Sequence, residues 1–79
     1  PFLAMEEEKK LFSLSEWIRF YIGNPEYTGK VYDTVVGIVE EELIRQALLV
    51  NERNKLRTAE FLGINRNTLR TKMEAYKID

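Results

Sequence analysis

The segment GINRNTLRTKM, residues 63–73, carries the local signals of a tight joint between two helices. Gly63 can adopt left-handed backbone without a Cβ penalty, which suits the position just past a helix C-terminus. Ile64 is an apolar plug, and Asn65 can accept a backbone N–H as the N-cap of the next helix. Residues 55–62 upstream read as one short helix, and residues 66–76 downstream place Leu69, Met73 and Tyr76 on one face. Three or four residues between two short helices make the turn of a helix-turn-helix. Ala59 fits the same reading, because a small side chain lets two helices cross closely. Leu56, Leu62, Leu69, Met73 and Tyr76 are expected to supply the buried side.

Working outward, NERN (51–54) breaks a long periodic segment that runs from about Lys30 to Asn51. Val31, Val35, Val39, Leu43 and Ala47 recur every four residues, and Val36, Ile38, Ile44 and Leu48 widen the apolar face beyond what one short helix can cover. That excess predicts a second chain. Gly37 inside the segment is read either as a close helix crossing or as a tolerated glycine costing about 1 kcal/mol relative to Ala. The run Glu40-Glu41-Glu42 is expected to be a solvated outer face, because consecutive helical residues point in different directions. Before it, Gly23-Asn24-Pro25 ends a helix expected over 13–22, where Ser13 and Glu16 have capping-box spacing and Leu14, Trp17, Ile18, Tyr21 and Ile22 form an apolar face. Residues 1–12 read as a linker or frayed helix start. The chain opens at Pro1 with Met5 the sole early alternative start, which suggests a piece of a longer protein.

Length and charge bound the function classes. The 79 residues make one small domain, in which only about 60–65% of the unfolded surface can be buried. With no Cys and no His, neither a disulfide nor the usual zinc site can reinforce it, leaving oligomerisation. No metal, cofactor or catalytic constellation is expected: there is no Gly-rich phosphate loop and no convergent carboxylate pair. No apolar run approaches a membrane span and no signal peptide is evident, so a cytoplasmic, nucleoid-associated protein is expected. The formal charge is −1, yet residues 1–52 carry five Lys/Arg against ten Asp/Glu, giving −5, and residues 53–79 carry seven against three, giving +4. A basic last third behind an acidic remainder is the footprint of a chain that presents only its C-terminal part to phosphate.

With Leu69, Met73 and Tyr76 facing inward, the last helix turns Asn67, Arg70, Thr71 and Glu74 outward, and Arg66 extends past its N-terminal end. Arg can bond guanine O6 and N7 together, Asn can do the same to adenine, and Thr offers a methyl to thymine. Such an arc is equally compatible with an ordinary solvated helix face. The turn upstream and the local charge favour a groove-reading helix.

The segment RNKLRTAEFLGINRNTLRTKMEAYKI resembles the C-terminal helix-turn-helix of the factor for inversion stimulation (Fis) family, a unit that also closes enhancer-binding activators of NtrC type. More weakly, VYDTVVGIVEEELIRQAL resembles that family's long dimerisation helix. The resemblance implies an all-α fold of four helices per chain, with 13–52 forming a dimerisation bundle and 53–79 the DNA-binding unit. It implies DNA contacts from Asn54, Asn65, Arg66, Thr68, Arg70 and Lys72, to which the helix wheel adds Asn67 and Thr71. A dimer interface is expected from Trp17, Ile18, Tyr21, Val35, Val39, Leu43 and Ala47. Departures from the family pattern are Leu56 where Ser or Thr usually bonds phosphate, Thr71 where Lys is frequent, Arg53 in place of a turn Gly, and Glu74 on the groove-facing arc. The expected function is binding of inverted half-sites in duplex DNA as the terminal domain of an NtrC-type activator, whose receiver and AAA+ ATPase domains would lie elsewhere. The rivals are a stand-alone Fis-type nucleoid protein and a protein-interaction module that uses the fold only to dimerise.

Overall fold

The computed structural model describes residues 14–79, so the proposed linker 1–12 and the Ser13 cap lie outside the described residues. The described residues are all-helical and contain no strand. Helix α1 covers 14–22, α2 runs Val31–Val50, α3 Lys55–Leu62 and α4 Arg66–Tyr76. The loop after α1 holds one turn of 3-10 helix, Pro25–Tyr27. Asn24 caps it by accepting the Glu26 N–H at 3.1 Å, and Pro25 sits where its missing N–H costs nothing. No described helix is long and apolar enough to cross a membrane.

The chain divides between Val36 and Gly37 into two compact units. In the first, Tyr21 of α1 meets three rings edge-on: Trp17 at 5.2 Å, Phe20 at 5.1 Å and Tyr27 at 5.0 Å between centroids. The Tyr21–Tyr27 pair ties the 3-10 turn back to the helix, and the other two lie within α1. In the second unit Ile44 and Leu48 of α2, Ala59 of α3, and Leu69 and Met73 of α4 form the buried cluster, flanked by Leu62, Ile64, Tyr76 and Ile78. Charge divides the sequence at 52/53, whereas packing places the last part of α2 with the helix-turn-helix, because Ile44 and Leu48 are the residues that α3 and α4 cover.

The joint between α2 and α3 is built on unusual backbone. Glu52 and Arg53 both take left-handed φ, at 54° and 63°, a region disfavoured by about 1–2 kcal/mol for residues with a Cβ. Arg53 thus occupies a backbone position that glycine would adopt without strain. Its N–H reaches the Leu48 carbonyl at 2.7 Å, and its guanidinium donates to the Asp79 carbonyl at 3.0 Å. Asn51, buried, donates its amide to the Ala47 carbonyl at 2.8 Å, closing the end of α2.

Candidate nucleic-acid interface

The turn forms as its residues dictate. Gly63 sits at φ 77° and donates to the Ala59 and Glu60 carbonyls, while the Ile64 N–H also returns to Ala59 at 3.0 Å. Those bonds satisfy the last carbonyls of α3 and bring Ile64 onto the core. Asn65 accepts the Asn67 N–H at 2.7 Å and starts α4 one residue later. Asn54 plays the same part for α3, accepting the Arg57 N–H at 3.0 Å. Of the three asparagines expected at the interface, Asn54 and Asn65 are therefore N-caps. Capping uses the side-chain oxygen and leaves an amide NH2 with two donors beside a positive helix end, a pairing suited to phosphate.

On α4, Leu69 and Met73 are buried, and Tyr76 is half-buried on the same side. Arg66, Asn67, Thr68, Arg70, Thr71 and Glu74 are exposed. Asn67, Thr68, Thr71 and Lys72 line one open hollow on the helix. The Thr71 hydroxyl donates to the Asn67 carbonyl at 2.9 Å, which leaves its methyl and the acceptor lone pairs of the hydroxyl oxygen to offer outward. Arg66 and Arg70 form no ion pair among the described residues.

Lys72 differs from its neighbours. Its ammonium lies 2.9 Å from Glu40 Oε2 and donates to Oε1 at 3.1 Å, and the Tyr76 hydroxyl donates to the same Oε1 at 2.6 Å. Glu40 is therefore not part of a solvated acidic face, as the run 40–42 suggested. It lies four residues before Ile44 and eight before Leu48, on the stripe of α2 that α4 covers, and that spacing was the available signal. Glu41 instead pairs with Arg45, and Glu42 accepts from Gln46, each one turn along α2. The Tyr76 hydrogen bond, then the Lys72 bond, hold the Glu40 carboxyl below its ordinary range against a smaller opposing effect of burial. Bonding to that carboxylate pushes the Tyr76 phenol up to about 12.

Three further differences stand out. Leu56, expected in the core, is 51% exposed, because the α3 side that packs inward is Thr58 and Ala59. Thr58 is fully buried and was missed; its hydroxyl donates to the Asn54 carbonyl at 2.7 Å, which lets a polar side chain sit in an apolar interior. Ala47, expected at a chain–chain contact, is 3% exposed within its own chain. Trp17, Ile18, Tyr21 and Val35 are half-buried, whereas Val39 and Leu43 are exposed.

Two short helices joined by a left-handed glycine turn, with a polar, cationic arc on the second, define a helix-turn-helix of the kind found in transcription regulators. Residues 36–76, just over half the chain, match the family model of bacterial regulatory proteins of the Fis family, and the chain belongs to that family. It is 37% identical over 51 residues to a Fis-like DNA-binding protein of Ralstonia nicotianae, a match covering 65% of this chain and 66% of that protein. It is 34% identical over 53 residues to the DNA-binding protein Fis of Proteus mirabilis and to that of Sodalis glossinidius, covering 67% of this chain and 54% of each. The chain thus spans between about half and two thirds of the length of these relatives. No solved structure matches it.

Proposed function

We propose that this chain binds duplex DNA by laying the N-terminal part of α4 in the major groove, as one of two subunits on inverted half-sites. The observation that carries this reading is the exposed arc of Arg66, Asn67, Arg70 and Thr71 directly behind the Asn65 cap, on a helix whose opposite side is fixed by buried Leu69 and Met73. Arg66 stands at the helix start, where side chains reach base edges, and Arg70 follows one turn later. Family membership supports the same assignment. Val36, Val39 and Leu43 stand between 42% and 53% exposed on α2, and covering them is the role we give the second subunit.

Two settings fit this activity. The acidic balance of residues 1–52 and the exposed Leu56 at a phosphate-contact position favour a selective module, as at the end of an NtrC-type activator. The Fis names of the relatives favour a stand-alone nucleoid protein. Selection of bound sites from a random duplex pool, followed by mobility shift on selected and random duplex, separates them. An activator module enriches two inverted half-sites and binds random duplex poorly. A nucleoid protein binds both at similar concentrations. Absence of binding to either overturns the DNA reading in favour of a protein-interaction module.

A further inference from the structure

We propose that Glu40 is a positioning residue that neutralises Lys72 within the reading surface, so that the phosphate grip of α4 falls to Arg70 and Lys72 adds no net charge to it. This rests on the DNA-binding reading above. Lys72 lines the same open hollow as Asn67, Thr68 and Thr71, and by position on the helix its ammonium belongs with a phosphate. Its charge is nevertheless matched by both oxygens of the Glu40 carboxylate, which the Tyr76 hydroxyl also holds through Oε1. The three side chains link α2 to α4, with Glu40 at 28% and Lys72 at 37% side-chain exposure.

The consequence follows from counterion release. Each cation that neutralises a phosphate releases condensed counterions and steepens the salt dependence of binding. A lysine with a carboxylate at 2.9 Å is a neutral pair and releases none on balance. Swinging the ammonium away to a phosphate would leave the half-buried carboxylate with Tyr76 alone, so the gain on one side is offset on the other. Gln at position 40 keeps nearly the same volume and one oxygen to accept from Tyr76 or Lys72, removes the charge, and puts an amide NH2 in place of the other carboxylate oxygen.

The test measures binding of the full chain to a random-sequence duplex by fluorescence anisotropy across a salt series, for the wild type, Lys72→Met, Glu40→Gln and the double variant, with folding checked by circular dichroism. Glu40→Gln should steepen the slope of log K against log salt by about 0.9 per subunit, because it leaves the ammonium uncompensated. Lys72→Met leaves the carboxylate unpaired and should make the slope shallower, whereas the double variant removes the neutral pair whole and should keep the wild-type slope. A double variant shallower than wild type by about 0.9, or an unchanged slope in folded Glu40→Gln, overturns the proposal. If Glu40→Gln fails to fold alone, the double variant, its fold checked by circular dichroism, decides. A wild-type chain that binds no duplex overturns the DNA reading itself, an outcome distinct from a wild type that binds while the double variant has the shallower slope.

Discussion

Two stripes run along α2 one residue apart and meet different fates. Gly37, Glu40, Ile44 and Leu48 face α4 and the core, and Ile44 is 2% exposed. Val36, Val39 and Leu43 form an equally apolar stripe, and Leu43, the immediate neighbour of Ile44, is 53% exposed. Hydrophobic periodicity identifies both as faces that want cover. It does not say which chain supplies it, because the rotation between adjacent residues is only about 100° and a broad apolar arc reads as one surface. The first stripe is completed within the chain and even carries a carboxylate, satisfied by Lys72 and Tyr76. The second is left exposed among the described residues, and covering it is the part proposed above for a second subunit.

The largest expected effect separates the stripes directly. Ile44→Ala removes a fully covered side chain and should destabilise the fold by about 2–5 kcal/mol, at every protein concentration. Leu43→Ala should cost much less in dilute solution. Urea denaturation of both variants checks this, and equal losses would mean that the stripes are not distinct.

Next comes Leu43→Asp. A charge in the centre of the proposed contact should make the chain monomeric in analytical ultracentrifugation and abolish any dependence of Tm on concentration, while helicity at residues 55–76 survives. A wild-type Tm that does not move over a hundredfold dilution, with a monomeric mass, would remove the partner subunit from the account of the second stripe.

The reading helix was the most legible part of the molecule. Gly63, Asn65, Leu69 and Met73 are local signals, each acting within one turn of its own position, and α3 and α4 begin and end where those signals put them. The assignments that failed depend on which element lies opposite. Leu56 is exposed and Thr58 buried because α3 turns its small, hydroxyl-bearing side inward. Glu40 was grouped with Glu41 and Glu42 because they adjoin it in sequence, although helical geometry groups it with Ile44. Ala47 matched the four-residue spacing of the outer stripe and was taken by the core.

Arg66→Ala tests the outward side of α4, where the chain offers chemistry rather than packing. If Arg66 makes the two-pronged guanine bond proposed for it, its loss should remove about 1–3 kcal/mol of discrimination, lowering affinity for a selected site far more than for random duplex. Equal weakening of both would show that α4 does not read bases. Thermal stability should be unchanged, since the side chain is exposed.

The Glu40 cluster gives the inner stripe a pH signature. Glu40 is held low, so its contribution is complete above the ordinary carboxylate value of 4.5 and is lost as pH falls through the depressed folded value. Tyr76 is raised, so its contribution is complete below the ordinary value of 10.0 and is lost as pH climbs through about 12. Stability should therefore show no change from this cluster between those limits, and Tyr76→Phe should delete the alkaline loss. Ultraviolet titration of tyrosinate in wild type and variant checks the assignment, and an unchanged high-pH component in Tyr76→Phe would sink it.

The smallest effect is at Gly37, on the inner stripe beside Val36 of the outer one. A Cβ built there meets the Tyr76 hydroxyl at 3.8 Å, an ordinary contact that requires nothing to move. Ala at an interior helical position is favoured over Gly by up to about 1 kcal/mol. Gly37 also points toward its own chain, on the side of Glu40 and Ile44. Gly37→Ala should therefore raise Tm by a few degrees while leaving the concentration dependence of unfolding and the oligomeric state as they are. If Ala instead lowers Tm and weakens self-association, the glycine is there for a close crossing with a second chain. In that case the boundary between the covered and uncovered stripes would lie one residue further round the helix than the exposures place it.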